Sequence, residues 1–365
     1  MIIHLIIGAR PNFIKAAPVY KELSTLYNIN LSLVHTGQHY DKNMKDVFFK
    51  DLNLSEPNIN LNAKGSSHAS LIASIMCKYE EYIRNELPDL IVVFGDVDST
   101  LACSLVASKM NIPIAHIESG LRSFDRTMPE EINRVLTDQL SQLLFTTSPE
   151  AEGNLLKEGK LKEQIFFVGN TMIDSLIALN NHFDKIDVHK KLNINDSYCL
   201  MTFHRPSNVD NQKNLNSLVK SIIEVSERLT CIYPVHPRTK KSLDRLSLTE
   251  KLNSESNIII TEPLRYIDFM SLQKKASVII TDSGGIQEES SYFGVPCLTV
   301  RDSTERPITV SVGTNKIIGT SYSNIFYEVE LVLNKRFNGK INIPELWDGK
   351  ASERIRKVFQ ENFNL

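Results

Sequence analysis

The sequence predicts an α/β protein of two doubly wound, Rossmann-like domains that face each other across a cleft. Short apolar runs of strand length alternate with longer amphipathic stretches along all 365 residues, and this alternation is typical of βαβ units in parallel sheets with helices on both faces. About a dozen strand candidates are too many for one comfortable open sheet, which favours two sheets. Nearly every unusual polar cluster follows a strand candidate, at the edge where α/β folds bind ligands.

The strand candidates divide between the two halves of the chain. They are residues 2–7, 31–36, 90–94, 114–118, 143–147 and 165–168, followed by 198–203, 230–235, 257–261, 277–281 and 297–300. Helical patterns lie between them, at residues 14–26, 69–85, 101–110, 132–144 and 215–228. We expect an N-terminal domain at residues 1–168, a C-terminal domain at 169–350, and a final amphipathic helix at 351–365, for which packing back on the N-terminal domain is one arrangement.

The composition limits the classes of molecule that this chain is expected to bind. Hydrophobic residues make up 42% and charged residues 23% of the chain, and the formal net charge is -2. This balance argues against nucleic acid or an anionic membrane, so an anionic substrate must be held by local basic residues and helix termini. No apolar segment reaches the ~20 residues of a membrane span and no signal peptide precedes the first strand, so we expect a cytoplasmic protein. Five scattered cysteines are interpreted as reduced core residues: Cys77, Cys103, Cys199, Cys231 and Cys297.

A strand, a tight turn and a helix are predicted at residues 276–289. Asp282 or Ser283 can cap the helix, and Gly284 and Gly285 let the backbone approach a ligand. The first turn of such a helix presents N–H groups and the positive end of its dipole, which suits a phosphate. Glu289, further along, is placed to accept hydrogen bonds from sugar hydroxyls. A well-capped helix start explains the same glycines, so this stretch alone does not distinguish a phosphate site from a purely structural turn.

A second basic cluster follows the first strand. Gly8 and Pro11 fix the turn, Arg10 lies between them, and Lys15 comes one turn into the following helix. Both basic side chains are then able to reach one anionic group. A surface arginine and lysine at a helix start is the alternative, and the fixed turn favours the ligand interpretation.

Carboxylates follow the next strands of the first half. Asp96 comes directly after a strand and points into the cleft in the simplest geometry, whereas Asp98 or the serine after it is predicted to cap a helix. His116 and Glu118 share one face of their strand by alternation, and a strand-end carboxylate without a partner is costly.

Two further acids, Glu130 and Glu131, open a helix after Pro129. Interaction with the helix dipole is a sufficient explanation for both if they are considered alone.

The second half supplies histidines and arginines at strand ends. His204 precedes Arg205 and His236 lies two residues before Arg238, and each histidine follows one of two successive strands. Arg306 follows a later strand. Together with Arg10, Lys15 and residues 283–285, these groups are suited to a diphosphate, while the carboxylates are suited to acid–base work on an adjoining sugar. We find no zinc-ligand spacing, nucleophile elbow, Walker-type loop or GxGxxG turn, so no metal or dinucleotide cofactor is expected.

These motifs together resemble the non-hydrolysing UDP-N-acetylglucosamine 2-epimerases, a family with a two-domain GT-B-type fold. The resemblance covers nearly the whole chain and needs many motifs in one order. They are Gly8-Ala9-Arg10-Pro11, Gly95-Asp96, His116-Ile117-Glu118-Ser119-Gly120-Leu121-Arg122, Pro129-Glu130-Glu131-Ile132-Asn133-Arg134, Gly169-Asn170-Thr171, His204-Arg205, Thr281-Asp282-Ser283-Gly284-Gly285-Ile286-Gln287-Glu288-Glu289 and Thr304-Glu305-Arg306-Pro307.

The resemblance implies interconversion of UDP-GlcNAc and UDP-ManNAc for surface polysaccharide precursors. UDP leaves by elimination across C1–C2, and it adds again to 2-acetamidoglucal after a proton returns to the opposite face of C2. The implied catalytic residues are Asp96, Glu118, Glu130 and His204. The implied UDP-binding residues are Arg10, Lys15, Phe269, Ser283, Gly284, Gly285, Glu289 and Arg306. A homodimer without a cofactor is implied as well.

A second site for substrate is implied less fully. Gln38 and His39 match part of the family pattern, with His236 as an accessory candidate, but Tyr40 and Asp41 differ from it. The chain also departs from many members after Arg205, where it has Pro206-Ser207-Asn208. Four alternatives remain open: an epimerase of a modified nucleotide such as UDP-2,3-diacetamido-glucuronic acid, a hydrolysing epimerase, a GT-B glycosyltransferase with a UDP-sugar donor, and a non-catalytic nucleotide-sugar sensor.

Overall fold

The computed structural model describes residues 1–37, 52, 54–186, 188–194, 196–335 and 342–363. The second-site candidates Gln38 and His39 lie outside these ranges. Within the described ranges the chain divides into two compact units. Unit 1 comprises Met1–Ala178 and Glu345–Leu365, and unit 2 comprises Leu179–Pro344.

Unit 1 is built on a parallel sheet of seven strands in the order β3-β2-β1-β4-β5-β6-β7. The strands are β1 Ile2–Ile7, β2 Asn30–His35, β3 Ile59–Asn60, β4 Leu90–Phe94, β5 Ile114–Ser119, β6 Leu143–Thr146 and β7 Ile165–Phe167. The central strand β4 is buried along its whole length, which explains its unbroken apolar run. The strand order changes direction between β1 and β4.

Helices connect these strands. They are α1 Arg10–Leu23, α2 His68–Ile83, α3 Asp98–Lys109, α4 Pro129–Leu140, α5 Pro149–Lys157 and α6 Thr171–Phe183, with a short 3₁₀ helix at Lys162–Gln164. Pro129 and Pro149 each occupy the first position of a helix, where the missing N–H costs no hydrogen bond.

Unit 2 contains a parallel sheet of six strands in the order β10-β9-β8-β11-β12-β13. The strands are β8 Tyr198–Thr202, β9 Thr230–Pro234, β10 Ile258–Thr261, β11 Val278–Thr281, β12 Cys297–Thr299 and β13 Asn315–Ile317. The helices are α7 Val188–Lys191, α8 Pro206–Val209, α9 Gln212–Ser226, α10 Pro237–Arg245, α11 Leu248–Asn253, α12 Tyr266–Lys275, α13 Gly284–Phe293, α14 Ile308–Ser311 and α15 Asn324–Leu333. Here the order changes direction between β8 and β11.

The last helix, α16 Ala351–Phe363, belongs to unit 1. Its first turn is capped by Asp174 of α6, whose carboxylate accepts hydrogen bonds from the N–H groups of Ala351 and Ser352 at 3.1 and 2.7 Å. Arg356 donates to Glu22 of α1 at 3.0 Å. These contacts hold the first part of α6 in unit 1, which extends to Ala178.

The predicted α/β class with two parallel sheets is confirmed, and each strand candidate corresponds to an observed strand within one or two residues. The edge strands β3 and β13 were not predicted because they are only two and three residues long. The helix predicted at 132–144 ends at Leu140, since Leu143 already belongs to β6. Cys77 is exposed, so its assignment to the core was wrong. Among the described residues, none of the helices has both the length and the apolar character needed to cross a bilayer.

Candidate active site

Both sheets place polar residues at the point where the strand order changes direction. In unit 1, residues 8–10 follow β1 and Gly95 and Asp96 follow β4. In unit 2, His204 follows β8 and residues 282–285 follow β11. Ligands of open α/β sheets bind in the crevice at this point, outside the carboxyl ends of the strands. Each unit therefore contains a candidate binding position of its own.

In unit 1, a buried ion pair joins Lys15 of α1 to Glu118 at the end of β5, with side chains 5% and 6% exposed. Glu118 has a left-handed backbone with φ of 71°, at a register irregularity between β5 and β6. Such a conformation costs roughly 1–2 kcal/mol for a residue other than glycine. Gly95 makes room for the pair, because a Cβ there would lie 3.0 Å from Nζ of Lys15. The carboxylate of Glu118 is therefore held in place by a strained backbone and by its ion pair with Lys15.

Asp96 is held by Arg134 of α4, with Nη2 of Arg134 2.5 Å from Oδ2 of Asp96. The arginine side chain is buried, whereas that of Asp96 is 22% exposed. Asn133, the neighbouring residue of α4, donates to the backbone carbonyl of Asp96 at 2.9 Å. Helix α4 therefore fixes both the backbone and the side chain of this predicted catalytic residue.

Glu131 lies in the first turn of α4, as the sequence predicted, but it is buried and makes specific contacts that the pattern did not predict. Its side chain is 1% exposed and accepts a hydrogen bond from Nη1 of Arg134 at 2.6 Å. It also accepts from the N–H groups of Ser123 and Phe124, both at 2.9 Å. Glu131 thus ties the loop before α4 to the arginine that holds Asp96. Glu130, beside it, is half-buried at the second position of the helix.

His116 shares its strand face with Glu118 but has a structural role. Its Nδ1 lies 2.6 Å from Asp138 and its Nε2 lies 2.8 Å from the carbonyl of Gly95. The ring therefore links Asp138 of α4 to the backbone of the turn that follows β4. Burial acts to raise the pKa of Asp138, but the charges and hydrogen bonds of His116 and Arg122 outweigh it and lower that pKa. This buried network holds the backbone of Gly95 in place through its carbonyl group.

The predicted caps near Asp96 were wrong. Helix α3 has Val97 at its N-cap position and begins at Asp98. The carboxylate of Asp98 instead contacts His68 Nδ1 at 2.8 Å and accepts a hydrogen bond from Asn133 at 3.2 Å. Arg10 occupies the first position of α1 and is exposed. The structure therefore leaves Arg10 accessible at the edge that also carries Asp96.

In unit 2, helix α13 begins at Gly284 with Ser283 at its N-cap position, as the sequence predicted, although no side-chain cap bond forms. A Cβ on Gly284 would lie 2.5 Å from Nη1 of Arg306 and 2.5 Å from Oε1 of Glu305. Only glycine therefore lets these side chains lie against the start of the helix. The first turn of α13 presents the N–H groups and the dipole end that suit an anion, and Arg306 and Glu305 both lie against it.

Arg306 is buried among carboxylates. Its Nε lies 2.9 Å from Glu288, and its Nη1 pairs with Glu305. Glu305 also accepts a hydrogen bond from Arg301 at 2.8 Å. Two arginines thus balance two carboxylates in this network. Sequence reasoning identified Arg306 but assigned no role to Glu288 or Glu305, although both lie in the motifs that carried the family resemblance.

Glu289 lies beside this network and is also buried. Burial, followed by the charge of Glu288, raises the pKa of Glu289 to about 8, despite the opposing effects of Gln273 and Arg306. Gln273 of α12 donates to Oε2 of Glu289 at 3.1 Å when its amide is oriented to satisfy both of its partners. Phe269 lies on the same helix and packs partly buried against the apolar core.

His204 is anchored by Asp282, whose Oδ1 lies 2.9 Å from Nδ1 of the ring. The side chain of His204 is 37% exposed. Its ring lies 5.5 Å from that of His236, centroid to centroid, because both residues follow neighbouring strands of the sheet. Asp282 was predicted only as a helix cap. Its contact with His204 arises from the pairing of β11 with β8, which the sequence pattern does not show.

No group of three or more histidine, cysteine, aspartate or glutamate side chains is arranged for a metal ion within the described part of the chain. The two clusters are instead made of carboxylates and basic groups. Unit 1 brings together Lys15, Glu118 and the Arg134-bound Asp96. Unit 2 brings together Arg306, the start of α13 and the Asp282-bound His204.

A model of the family described as UDP-N-acetylglucosamine 2-epimerase matches residues 21–360 of this chain. The chain belongs to this family. A relative named UDP-N-acetylglucosamine 2-epimerase, from Methanocaldococcus jannaschii, is 43% identical over 364 residues, which are 98% of this chain and 98% of the relative. The resemblance inferred from the motifs is therefore confirmed.

Solved structures of UDP-N-acetylglucosamine 2-epimerases agree with the fold. The Methanocaldococcus jannaschii enzyme in complex with UDP-GlcNAc and UDP aligns with a TM-score of 0.91 at 43% identity, covering 99% of this chain and 100% of that one. The Neisseria meningitidis enzyme bound to UDP-GlcNAc also aligns with a TM-score of 0.91, at 30% identity, covering 99% and 100%. A Pseudomonas aeruginosa relative named UDP-2,3-diacetamido-2,3-dideoxy-D-glucuronate 2-epimerase is 37% identical over 96% of this chain and 97% of its own.

Proposed function

We propose that this chain interconverts UDP-GlcNAc and UDP-ManNAc. A base removes the proton from C2 of the sugar while UDP leaves from C1, which gives 2-acetamidoglucal and UDP. An acid then returns a proton to the opposite face of C2, and UDP adds again to C1. Relatives at 43% identity over nearly the whole chain carry the name UDP-N-acetylglucosamine 2-epimerase, and they support this proposal.

The carboxylates of unit 1 are proposed to move the proton. The C2 proton is weakly acidic because no carbonyl group adjoins it, so elimination needs positioned acid and base groups. Asp96, Glu118 and Glu130 are the proposed groups. The observation that carries the proposal is that Asp96, after β4, and Glu118, near the end of the neighbouring strand β5, are each held in an ion pair. Their partners are Arg134 and Lys15. Fixed ion pairs of this kind keep a carboxylate in place through repeated proton transfers.

The groups of unit 2 are proposed to bind the UDP. The diphosphate binds at the first turn of α13, formed by residues 283–285, and contacts Arg306 and His204. Positive charge there stabilises the negative charge that develops on the leaving diphosphate, which lowers the barrier to elimination. Glu289 is proposed to bind the ribose hydroxyls and Phe269 to contact the uracil. Arg10 of unit 1 is proposed as a further ligand of the diphosphate.

One experiment tests the reaction. The protein is incubated with UDP-GlcNAc in D₂O, and the anomeric and C2 protons are followed by NMR. Appearance of UDP-ManNAc with deuterium at C2 is the expected result. Free ManNAc would show a hydrolysing enzyme instead. If neither product appears and C2 keeps its proton, UDP-GlcNAc is not the substrate, and a glycosyltransferase or a sensor becomes the better explanation.

The Pseudomonas aeruginosa relative, which is 37% identical to this chain, suggests a second candidate substrate. That relative's name specifies UDP-2,3-diacetamido-2,3-dideoxy-D-glucuronate, which differs at C3 and C6 but reacts at the same carbon. We therefore propose a competition assay in which both nucleotides are supplied together. A larger kcat/KM for UDP-GlcNAc supports the first proposal, and the reverse ratio supports the second.

A homodimer in the cytoplasm is proposed as the working form of the enzyme. All five cysteines are free thiols, which suits a reducing compartment. The homodimer is an expectation from the family resemblance. Light scattering coupled to size-exclusion chromatography measures the mass directly, and a monomer mass at micromolar concentration would contradict a stable dimer.

A further inference from the structure

The carboxylate of Asp282 is completely buried, yet it is surrounded by hydrogen-bond donors. Besides Nδ1 of His204, it accepts from the backbone N–H groups of His204 and Arg205 at 3.1 and 3.0 Å. Asn208 donates to Oδ2 at 3.0 Å. Burying a carboxylate is costly unless its lone pairs are satisfied. Here the donors come from the turn that follows β8, so the carboxylate determines how that turn and its histidine are held.

The network continues beyond Asp282. Asn208 also donates to the carbonyl of Val300 at 3.2 Å and accepts a hydrogen bond from Tyr322 at 2.9 Å. The amide of Asn208 is therefore held from two sides. It cannot rotate away from Asp282 without leaving buried polar groups unpaired. A chain of contacts thus runs from Tyr322 through Asn208 to Asp282, which reaches Nδ1 of His204.

Other titratable side chains lie close to Asp282 and His204. His236 lies against the ring of His204, and Tyr233 and Tyr322 face Asp282, whose charge adds to the effect of burial in raising the pKa of both phenols. Burial acts to raise the pKa of Asp282, but the hydrogen bond and charge of His204 and the bonds from Asn208 and Arg205 lower it overall. Asp282 is therefore an anion at neutral pH, and Nδ1 of His204 carries the hydrogen that it accepts.

We propose that Asp282 is the positioning residue of His204, and that Asn208 and Tyr322 hold Asp282 in place for this task. The carboxylate fixes the hydrogen on Nδ1, so that Nε2, on the opposite edge of the ring, is presented to the substrate. This inference rests on the proposed function only for the identity of that ligand.

Two variants test this link through the tautomer of the His204 ring. At alkaline pH, where an imidazole is neutral, the carboxylate of Asp282 keeps the hydrogen on Nδ1, so the parent ring is expected to be mainly the Nδ1–H tautomer. Asp282→Asn introduces a side chain that can also donate to Nδ1, so the ring is expected to shift toward the Nε2–H tautomer, and Asn208→Ala releases the carboxylate and is expected to give a smaller shift in the same direction. Asp244→Asn changes an exposed aspartate of α10 and is expected to leave the tautomer unchanged. The two ring nitrogens are observed by ¹⁵N–¹H NMR, with His204→Asn to assign their signals.

Shifts of both variants toward the Nε2–H tautomer support the proposal. A parent-like tautomer in Asp282→Asn would overturn it, because the carboxylate would then not determine which ring nitrogen carries the hydrogen. If Asp282→Asn does not fold, Asn208→Ala decides, and an unchanged tautomer there would overturn the proposal. The NMR measurement needs no turnover, so it distinguishes failure of this inference from failure of the proposed reaction.

Binding of UDP supplies an independent measurement. If Asp282 acts through His204, Asp282→Asn weakens UDP binding by about tenfold in the parent protein and has no further effect in a His204→Asn background. Calorimetric titration of the single and double variants gives this coupling directly. Equal losses in both backgrounds would show that Asp282 acts on UDP by a route other than His204.

Discussion

Arg134 and Asp96 form an ion pair of 2.5 Å whose arginine is also bound to the buried Glu131. One guanidinium thus connects a predicted catalytic carboxylate to the loop that precedes its helix. Lysine has the same charge but cannot make both contacts in this geometry. The position of Asp96 should therefore depend on the shape of the Arg134 side chain as well as on its charge.

Arg134→Lys is expected to lower kcat by about a hundredfold, because a small displacement of a reacting group is enough for such a loss. UDP binding should stay within a factor of about three, since the residue belongs to unit 1 and we propose that the diphosphate is held mainly by unit 2. Epimerisation kinetics and calorimetric titration measure the two effects. Arg84→Lys, on the exposed end of α2, is the matched control. A normal kcat in Arg134→Lys would contradict the positioning of Asp96 by this arginine.

Gly284→Ala is expected to weaken UDP binding by about tenfold while the protein remains folded. The new Cβ meets Arg306 and Glu305 at 2.5 Å, and both side chains are buried, so the arginine is pushed away from the start of α13. Gly153→Ala is the matched control, because a Cβ there meets nothing within 4 Å. That change lies within a helix and should stabilise the fold by about 0.5–1 kcal/mol. Unchanged UDP affinity in Gly284→Ala would exclude the proposed anion position.

Much of this organisation was available from the sequence. Strand candidates were recognisable because parallel strands buried on both faces are continuous apolar runs, as in β4. Ser283 at the N-cap position of α13 was one of two predicted caps, with Asp282 as the other. The contacts between the site residues could not be predicted. Asp282 lies far in sequence from His204, and only the order of β8 and β11 brings the two together. Pattern alone also cannot distinguish a buried Glu131 from an exposed one.

The raised pKa of Glu289 predicts a pH dependence of stability. In the unfolded chain this group has its ordinary pKa of 4.5, whereas in the folded protein it is about 8, so the folded state binds more protons between these values. The free energy of unfolding contributed by Glu289 is therefore greatest below the unfolded pKa and is lost as pH rises through about 8. Glu289→Gln keeps an acceptor for Gln273 and cannot ionise.

The variant should thus become more stable relative to the parent as the pH is raised from about 5 to about 9. Urea unfolding of both proteins across this range, without UDP, gives the difference. A difference that does not change with pH would show that Glu289 is ionised in the folded protein at all these values. Glu262→Gln, a change on the exposed surface of unit 2, controls for the general effect of removing a carboxylate.

The adjacent residues Glu130 and Glu131 are expected to fail in different ways. Glu131→Gln places an amide nitrogen or a single oxygen against donors that now share two carboxylate oxygens, and a buried donor left unpaired costs about 1–3 kcal/mol of unfolding free energy. Turnover should fall as well, because Arg134 loses its contact with Glu131.

Glu130→Gln changes a half-buried side chain, so its stability should stay within about 0.5 kcal/mol of the parent. Exchange of the C2 proton with D₂O, however, should be abolished. Chemical unfolding and the NMR assay measure these two effects on the same samples. If Glu131→Gln were as stable as the parent, or if Glu130→Gln still exchanged the C2 proton, the division of roles between these neighbours would be wrong. The expected contrast arises because successive helix positions point about 100° apart, which turns one glutamate into the interior and leaves the other near the surface.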